Sequence, residues 1–487
     1  MRQPLYKICA AALALAATGA CDSREPTAPG VAFRLTPDVP SLFVGVSIQL
    51  VPAALSGSAV PSAPIKWSTT SPGTVSVEAN GRIYGVAPGS ATIRALSPDG
   101  YAETLVTVLT AATLRTSVAT TCGITTSDGL YCWGQNDYGQ TGTGSRTVAI
   151  TTPKKVSGGL TFTTVSIGYE HACGMTAAGP YCWGNNNLGQ IGDGTTGTVR
   201  TEPTKVSGGS SFTVVETNGT SQLLGGIPCV ERICSGHSCS IDASGSLYCW
   251  GNGRPLPAPL GLDTKFQSLS LGTNYICGID RAQTTYCWGG GGTYGQSGGP
   301  LGNGTDLPTL PGRHLFQSIS AGHGHNCALD FNGDVYCWGA NTLGQLGSPS
   351  AAECFGRFIR VKCRPEPAKV ITDYKFLSVS VGAAIAFPEA PPDAHSCGIT
   401  TTLQAVCWGT NTSGQLGNGS TGSAATPTPV AGALRFRWVS AGYGHSCGVT
   451  VEGDAYCWGA NAAGQIGNGA LTSSAVPVKV IGGLAFK

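Results

Sequence analysis

Twenty cysteines stand in 487 residues, and fourteen of them fall into seven pairs. The second member of each pair opens a Cys-Trp-Gly tripeptide, at Cys132, Cys182, Cys249, Cys287, Cys337, Cys407 and Cys457. The first member lies nine or ten residues earlier, at Cys122, Cys173, Cys239, Cys277, Cys327, Cys397 and Cys447. Thiols repeated in this way can bind metal or form disulfides. Cys-x₉-Cys is not zinc spacing, which leaves only about two to four residues between ligands. The cluster Cys229, Cys234, His237 and Cys239 has the right residue types, but Cys239 is matched to Cys249 by the repeat. If Glu452-Gly453 forms a turn, Cys447 and Cys457 face each other on antiparallel strands. Opposed residues hold their Cβ atoms ~4.5–5.5 Å apart. A disulfide takes ~3.5–4.5 Å, which modest local twist supplies. Seven cross-strand disulfides are therefore expected, each contributing about 2–3 kcal/mol in the chain-entropy model. Cys229/Cys234 and Cys354/Cys363 make two further pairs in loops.

Other chemistry is sparse. A histidine stands two residues before the first cysteine at His171, His237, His325, His395 and His445, with Thr120 and Tyr275 in the remaining repeats. A central metal ring is one reading of that pattern; a hydrogen-bonded loop cap within each histidine's own blade is the one expected. The tripeptide tryptophans are expected in the core between blades. Gly-Gln-Leu-Gly is a backbone turn, not a phosphate loop, because no Lys-Ser/Thr follows it. No Ser/His/Asp set or carboxylate pair recurs at fixed spacing, so no catalytic residue, cofactor or metal is expected and the chain reads as a non-enzyme. With 28 basic and 26 acidic residues and no basic block, it lacks the charge to hold nucleic acid.

The elements that must position these residues are strands. Glycine is 72 of 487 residues and charged residues are 11%, which disfavours a helical chain because glycine weakens helices. In the last repeat, strands are predicted at Arg435–Ser440, His445–Thr450, Asp454–Gly459 and Val476–Val480. Four antiparallel strands repeated seven times make a seven-bladed β-propeller. The repeats begin inside a unit at Thr113 and stop at Leu484-Ala485-Phe486, where a new unit would begin. The C-terminal strand is thus expected to complete the blade begun near residue 113 and to remove open sheet edges. Residues 31–110 are cysteine-free and rich in Gly and Pro turns. Predicted strands there are Val44–Val51, Ile65–Ser68, Thr74–Val77, Gly81–Val86, Ser90–Ala95 and Glu103–Val108, at the spacing of a small β-sandwich. Residues 1–21 pair Arg2 and Lys7 with the apolar run Ile8–Ala17 and end in Gly19-Ala20-Cys21. That is the layout of a secretory signal. Export would permit the disulfides.

Three resemblances follow from these residues. The recurring Gly-x-x-His, Gly-Asp-x-Tyr-x-Trp-Gly, Gly-Gln-Leu/Ile-Gly and Pro-x-x-Val, seen at Gly322–Ala328, Gly333–Gly339, Gly344–Gly347 and from Gly442 to Val480, resemble the regulator of chromosome condensation repeat family. The resemblance covers residues 113–487 and implies a seven-bladed propeller. Trp67, Val75, Val77, Gly81, Gly85, Pro88-Gly89 and Ala91-Thr92-Ile93 resemble the bacterial immunoglobulin-like group 2 domain, which implies an extracellular stalk or adhesion module over residues 31–110. Gly19-Ala20-Cys21 resembles a lipoprotein lipobox, which implies lipid on Cys21 and a linker over residues 22–30. Ordinary signal cleavage near Ala20 is the alternative.

Departures from the repeat point to a partner. Asn218 to His237 and Gly382 to His395 expand the connection between the first two strands of their units. Gly347 to Val370 expands the connection between the third and fourth. Because strand direction alternates, all three insertions fall on one face. Arg357, Phe358, Ile359 and Arg360, held between Cys354 and Cys363, and Ile385 and Phe387 in the sixth unit supply the Arg and apolar anchors that binding loops use. The expected function is a monomeric, exported binding or adhesion protein whose propeller face takes an unknown protein or cell-surface macromolecule. It would touch the membrane only through its lipid anchor and would bind no nucleic acid. The alternative is a secreted enzyme inhibitor similar to the propeller-type beta-lactamase inhibitor. Guanine nucleotide exchange, the activity of the family's namesake, does not suit an exported chain.

Overall fold

The computed structural model describes residues 33–36, 41–43, 47–55, 60–61, 64–98, 100–109, 113–208, 212–218, 236–273, 275–289, 315–350, 352–355, 360–382 and 394–487. The signal region with Cys21 and the linker 22–30 lie outside them. Every regular element among the described residues is a strand. None of them forms a helix long and apolar enough to cross a membrane, which says nothing of a β-barrel.

The first domain is a small β-sandwich. One sheet orders Ser41–Phe43, Gly100–Leu109, Gly89–Ser97 and Lys66–Thr69, and a second orders Ser47–Gln49, Arg82–Gly85 and Val75–Val77. Phe33–Thr36 pairs with Val51–Ala54. The inward residues Phe33, Leu35, Ile48, Val75, Ile83, Ile93 and Val106 alternate with exposed ones and form the core. The single strand predicted over Val44–Val51 is instead divided between Ser47–Gln49 and Val51–Ala54, which belong to different sheets. Phe33–Thr36 and Ser41–Phe43 were not predicted.

The repeats form seven antiparallel sheets in sequence order. In the seventh, Phe436–Ala441, His445–Thr450, Ala455–Gly459 and Ser474–Lys479 pair in succession. The first strand of each sheet touches the first strand of the next, and the seventh touches the first, so the ring closes around these inner strands. The fifth sheet has five strands, because the inserted segment forms Ala352–Phe355 against Arg360–Lys369. Pro153, Pro203, Pro257, Pro427 and Pro477 sit in outermost strands, where a missing N–H discourages edge-to-edge pairing.

Within a blade, the two repeat cysteines are register partners on the second and third strands, as for Cys447 and Cys457. Their Cα atoms are 4.0 Å apart and their sulfurs are bonded. The same bond is made at Cys122–Cys132, Cys173–Cys182, Cys239–Cys249, Cys277–Cys287, Cys327–Cys337 and Cys397–Cys407. The second blade, with a spacing of 9, has a turn one residue shorter, between Thr176 and Gly179. The glycine after each tryptophan is obligatory where the chains approach: at Gly459, φ is 99° and a Cβ would lie 2.4 Å from the Gly444 carbonyl oxygen. Eight disulfides among the described residues, counting Cys354–Cys363, suit an oxidising environment.

Between blades the structure corrects the expected role of the histidines. His171, His325, His395 and His445 do not cap loops of their own blade but reach the next one. His171 Nε2 lies 2.9 Å from Ser238 Oγ of the next blade. His325 pairs likewise with Ser396, His395 with Ser446, and His445 with Thr121 across the closure. Each hydroxyl also donates to the carbonyl of the glutamine in the preceding blade's Gly-Gln turn, as Ser446 does to Gln415 at 2.9 Å. The tryptophan of the next blade donates to that carbonyl too: Trp458 Nε1 to Gln415, Trp133 to Gln465, Trp183 to Gln140 and Trp250 to Gln190, all at 2.9 Å. The hydroxyl gives its hydrogen to the carbonyl, so Nε2 must carry the imidazole proton. Tyr275 substitutes for histidine in the fourth blade and donates to Asn326, which substitutes for serine, at 2.6 Å.

The ring closes as the sequence implied, by a contact shorter than a full strand. Phe486 bridges Thr125, and Lys487 N donates to the Ile124 carbonyl. A Cβ on Gly123 would meet the Phe486 ring at 2.6 Å, just as one on Gly448 would meet Phe436. Phe486 thus fills in the first blade the place its counterparts fill elsewhere, with Leu114–Thr116 continuing the same inner strand.

Two outcomes are expected. Phe486→Ala should cost about 3–5 kcal/mol, by removal of a fully buried ring at the closure, read as a shifted denaturation midpoint. Burial, with a smaller contribution from a neighbouring histidine at His171, His325 and His395, holds four latch histidines, His171, His325, His395 and His445, down at about 3. The unfolded chain takes up their protons near pH 6.5, so stability is complete above that and falls as pH drops toward 3. Each histidine should contribute a loss of up to about 1.4 kcal/mol per pH unit. Replacing one with Gln should lower the proton uptake on acid unfolding by one.

Candidate binding face

The first-to-second and third-to-fourth connections share one face of the disc, since neighbouring strands run antiparallel. The fifth-blade insertion is built there as a hairpin in which Ala352↔Cys363, Glu353↔Lys362, Cys354↔Val361 and Phe355↔Arg360 are opposed. The Cys354–Cys363 disulfide joins its strands diagonally, two residues out of direct register. Arg360 is 66% exposed and sits 3.7 Å from Glu353, an arrangement worth little energetically but presenting a guanidinium at the surface. Arg357, Phe358 and Ile359 at the hairpin tip, Ile385 and Phe387 in the sixth blade, and Cys229 and Cys234 in the third lie outside the described residues. Of the Cys/His cluster, Cys239 is bonded to Cys249. Among the described residues no three His, Cys, Asp or Glu side chains gather closely enough to hold a metal ion.

At the centre of this face the inner strands leave a cavity of about 90 Å³. Its wall contains one repeated position, the residue opposite the first cysteine of each blade: Ser166, Ser270, Ser320, Ser380 and Ser440. Each of these hydroxyls accepts a backbone N–H from the next blade: Thr217, Ala321, Val381, Ala441 and Thr116, at 2.9 to 3.1 Å. The seam of serines therefore stitches the inner strands together.

Two blades break the pattern. Arg115 and Glu216 occupy the serine position in the first and third. Their charged groups meet 3.6 Å apart across the second blade, with side chains 36% and 22% exposed. Ser166 donates to Glu216 at 2.8 Å. Burial raises the Glu216 carboxyl above its ordinary value, against the opposing pull of Arg115 and Ser166. The pair is the charge in an otherwise neutral axial wall. Sequence reasoning missed it; the signal was available as Glu216 in place of the serine of Val-Ser in Phe212–Asn218. It also missed the buried asparagine two residues after Cys-Trp-Gly: Asn411 holds the following turn by accepting from Leu416 N and donating to Ser420 and Gly422 carbonyls.

The comparisons with known proteins agree with this geometry. The model described as Regulator of chromosome condensation (RCC1) repeat matches residues 127–175, 332–387 and 407–449, and a second model of the same description matches 316–345 and 439–465. Bacterial Ig-like domain (group 2) matches residues 31–108. Prp20p from Saccharomyces cerevisiae is similar in structure at 17% identity and a TM-score of 0.59, over 76% of this chain and 87% of that one. Human WBSCR16 is similar at 16% identity and 0.59, over 73% of this chain and 94% of that one. These likenesses show the fold. No protein of curated function matches the chain.

Returning the axial wall to the repeat pattern, by Arg115→Ser with Glu216→Ser, should leave the propeller as stable as before or more stable by about 1 kcal/mol. A partly buried ion pair recovers little of its desolvation cost. Denaturant titration at neutral pH would measure it.

Proposed function

Because this chain carries RCC1 repeats behind a bacterial Ig-like group 2 domain, we propose that it is a non-enzymatic, exported binding protein whose insertion-bearing propeller face takes a protein or other cell-surface macromolecule. The observation that carries the reading is the hairpin of the fifth blade, a disulfide-closed projection that no other blade shows in the described residues. It holds Arg360 exposed beside the tip, on the face where the other insertions emerge. The RCC1-like fold supports protein binding: Prp20p is described with binding properties to Gsp1p and histones, and it has been solved with Kap60 bound. Those partners are not carried over to this chain. The disulfides support export. Lipidation of Cys21, within residues 1–21, would tether the molecule to a membrane, with the chain monomeric and free of nucleic acid. Inhibition of an enzyme would be one form such binding takes.

The test compares affinity capture from envelope fractions and culture medium by the whole chain and by variants lacking residues 355–362 or 384–393. Partners held by the whole chain should be lost from one or both variants, with the blade disulfides intact by non-reducing mass mapping. Equal capture by all three would remove this face from the binding site.

A further inference from the structure

The turns between the second and third strands lie on the opposite face of the disc from the insertions. Most are exposed at their tips. The residue after the last paired position is Thr126, Ala243, Arg281, Thr401 and Val451 in five blades, and all five are exposed; Val451 is 37% exposed. Its counterpart in the fifth blade is Phe331, which is 6% exposed and belongs to the apolar core cluster of the Ig-like domain with Ile48, Val75 and Ile83. In the fourth blade the turn carries Gln283 at φ 69°. That conformation is unfavourable for a side chain with a Cβ; glycine fills the position at Gly245, Gly333 and Gly453, and Asp128 and Leu403 hold it in the first and sixth blades. Gln283 is buried, and its Nε2 donates to the Ser47 carbonyl of the Ig-like domain at 2.9 Å.

A third difference agrees with these contacts. Asp242 and Asp330 begin equivalent turns and accept the same backbone bonds, from Ser244 and Ser246 and from Asn332 and Asp334. At Asp242 burial is outweighed by the hydrogen bonds and the carboxyl lies below its ordinary value; at Asp330 burial wins and the carboxyl lies above it.

We propose that the turns of the fourth and fifth blades are a docking surface for the chain's own Ig-like domain, through Phe331 and Gln283. That domain is then a fixed brace and not a hanging stalk. It sits on that face at the fourth and fifth blades, opposite the insertions, and directs the insertion-bearing face away from itself. An apolar ring replacing a surface residue at one turn is a change the propeller has no use for by itself, and at the next turn Gln283, unlike the exposed Asp128 at the same left-handed position, is buried with its amide on the Ig-like domain. Both are explained by one neighbour.

The full chain tests this without risk to the propeller fold, because the substitutions are borrowed from sister blades: Phe331→Thr, as at Thr401, and Gln283→Gly, as at Gly453. In the wild type, hydrogen exchange of the Phe331 turn and of Ser47–Gln49 should be slower than at the exposed Val451 turn by at least about tenfold. Small-angle scattering should give one compact particle. Phe331→Thr should abolish that protection on both sides and enlarge the maximum dimension, with propeller melting and disulfide content unchanged. Gln283→Gly should weaken protection at Ser47 alone. Equal exchange at the Phe331 and Val451 turns in the wild type, or unaltered scattering and exchange in Phe331→Thr, would overturn the proposal.

Discussion

The propeller depends on one kind of acceptor, the main-chain carbonyl of the glutamine in a Gly-Gln turn. At Gln190, Gln415 and Gln465 it receives both an indole N–H and a hydroxyl from the next blade, as Gln415 does from Trp458 and Ser446. A carbonyl has two lone pairs, and buried ones are rarely left unfilled. Both donors belong to the neighbour, so the position of the next sheet is fixed at two points. The histidine behind the serine adds a third. The Cys-Trp-Gly unit is accordingly shared between blades: cysteine staples its own sheet, tryptophan reaches back to the previous one, and glycine lets two backbones approach.

Much of this was legible because each unit repeats. Seven copies of a cysteine spacing constrain strand register better than any propensity, and the cross-strand disulfides and the blade count follow from that spacing. Which blade a side chain serves was not legible. His445 and its partner Thr121 are 324 residues apart, and nothing local marks the pairing. The substitution of Tyr275 and Asn326 for histidine and serine was a trace of it, visible only when adjacent units are aligned column by column. The Ig-like domain was read less well. Its strands are short and unrepeated, and the segment around Val44–Val51 has an apolar pattern that does not show where one sheet ends and the next begins.

The partners of the candidate face divide the same way. The insertions stood out as interruptions of the repeat, and the fifth-blade hairpin is a structured extension of its sheet. The Arg115–Glu216 pair was hidden because its members lie 101 positions apart in unremarkable strands. A serine seam that must turn full circle tolerates two charged members only if they reach each other. The scaffold therefore has a neutral serine seam and one charged pair, gathered at the axial cavity.

The closure at Phe486 has a consequence for the order of assembly. Thr113 Oγ hydrogen-bonds the Lys487 carbonyl across 374 positions, and Phe486 completes a sheet whose other strands come first in the propeller. Contacts so distant in sequence carry a high loop-closure cost and form late. Six sheets can be stitched in chain order while the first waits, short of one aromatic ring, for the far end to arrive. The same joint is then the natural place for the ring to open. The lifetime of the native propeller, as distinct from its equilibrium stability, would be governed by how seldom three terminal residues let go.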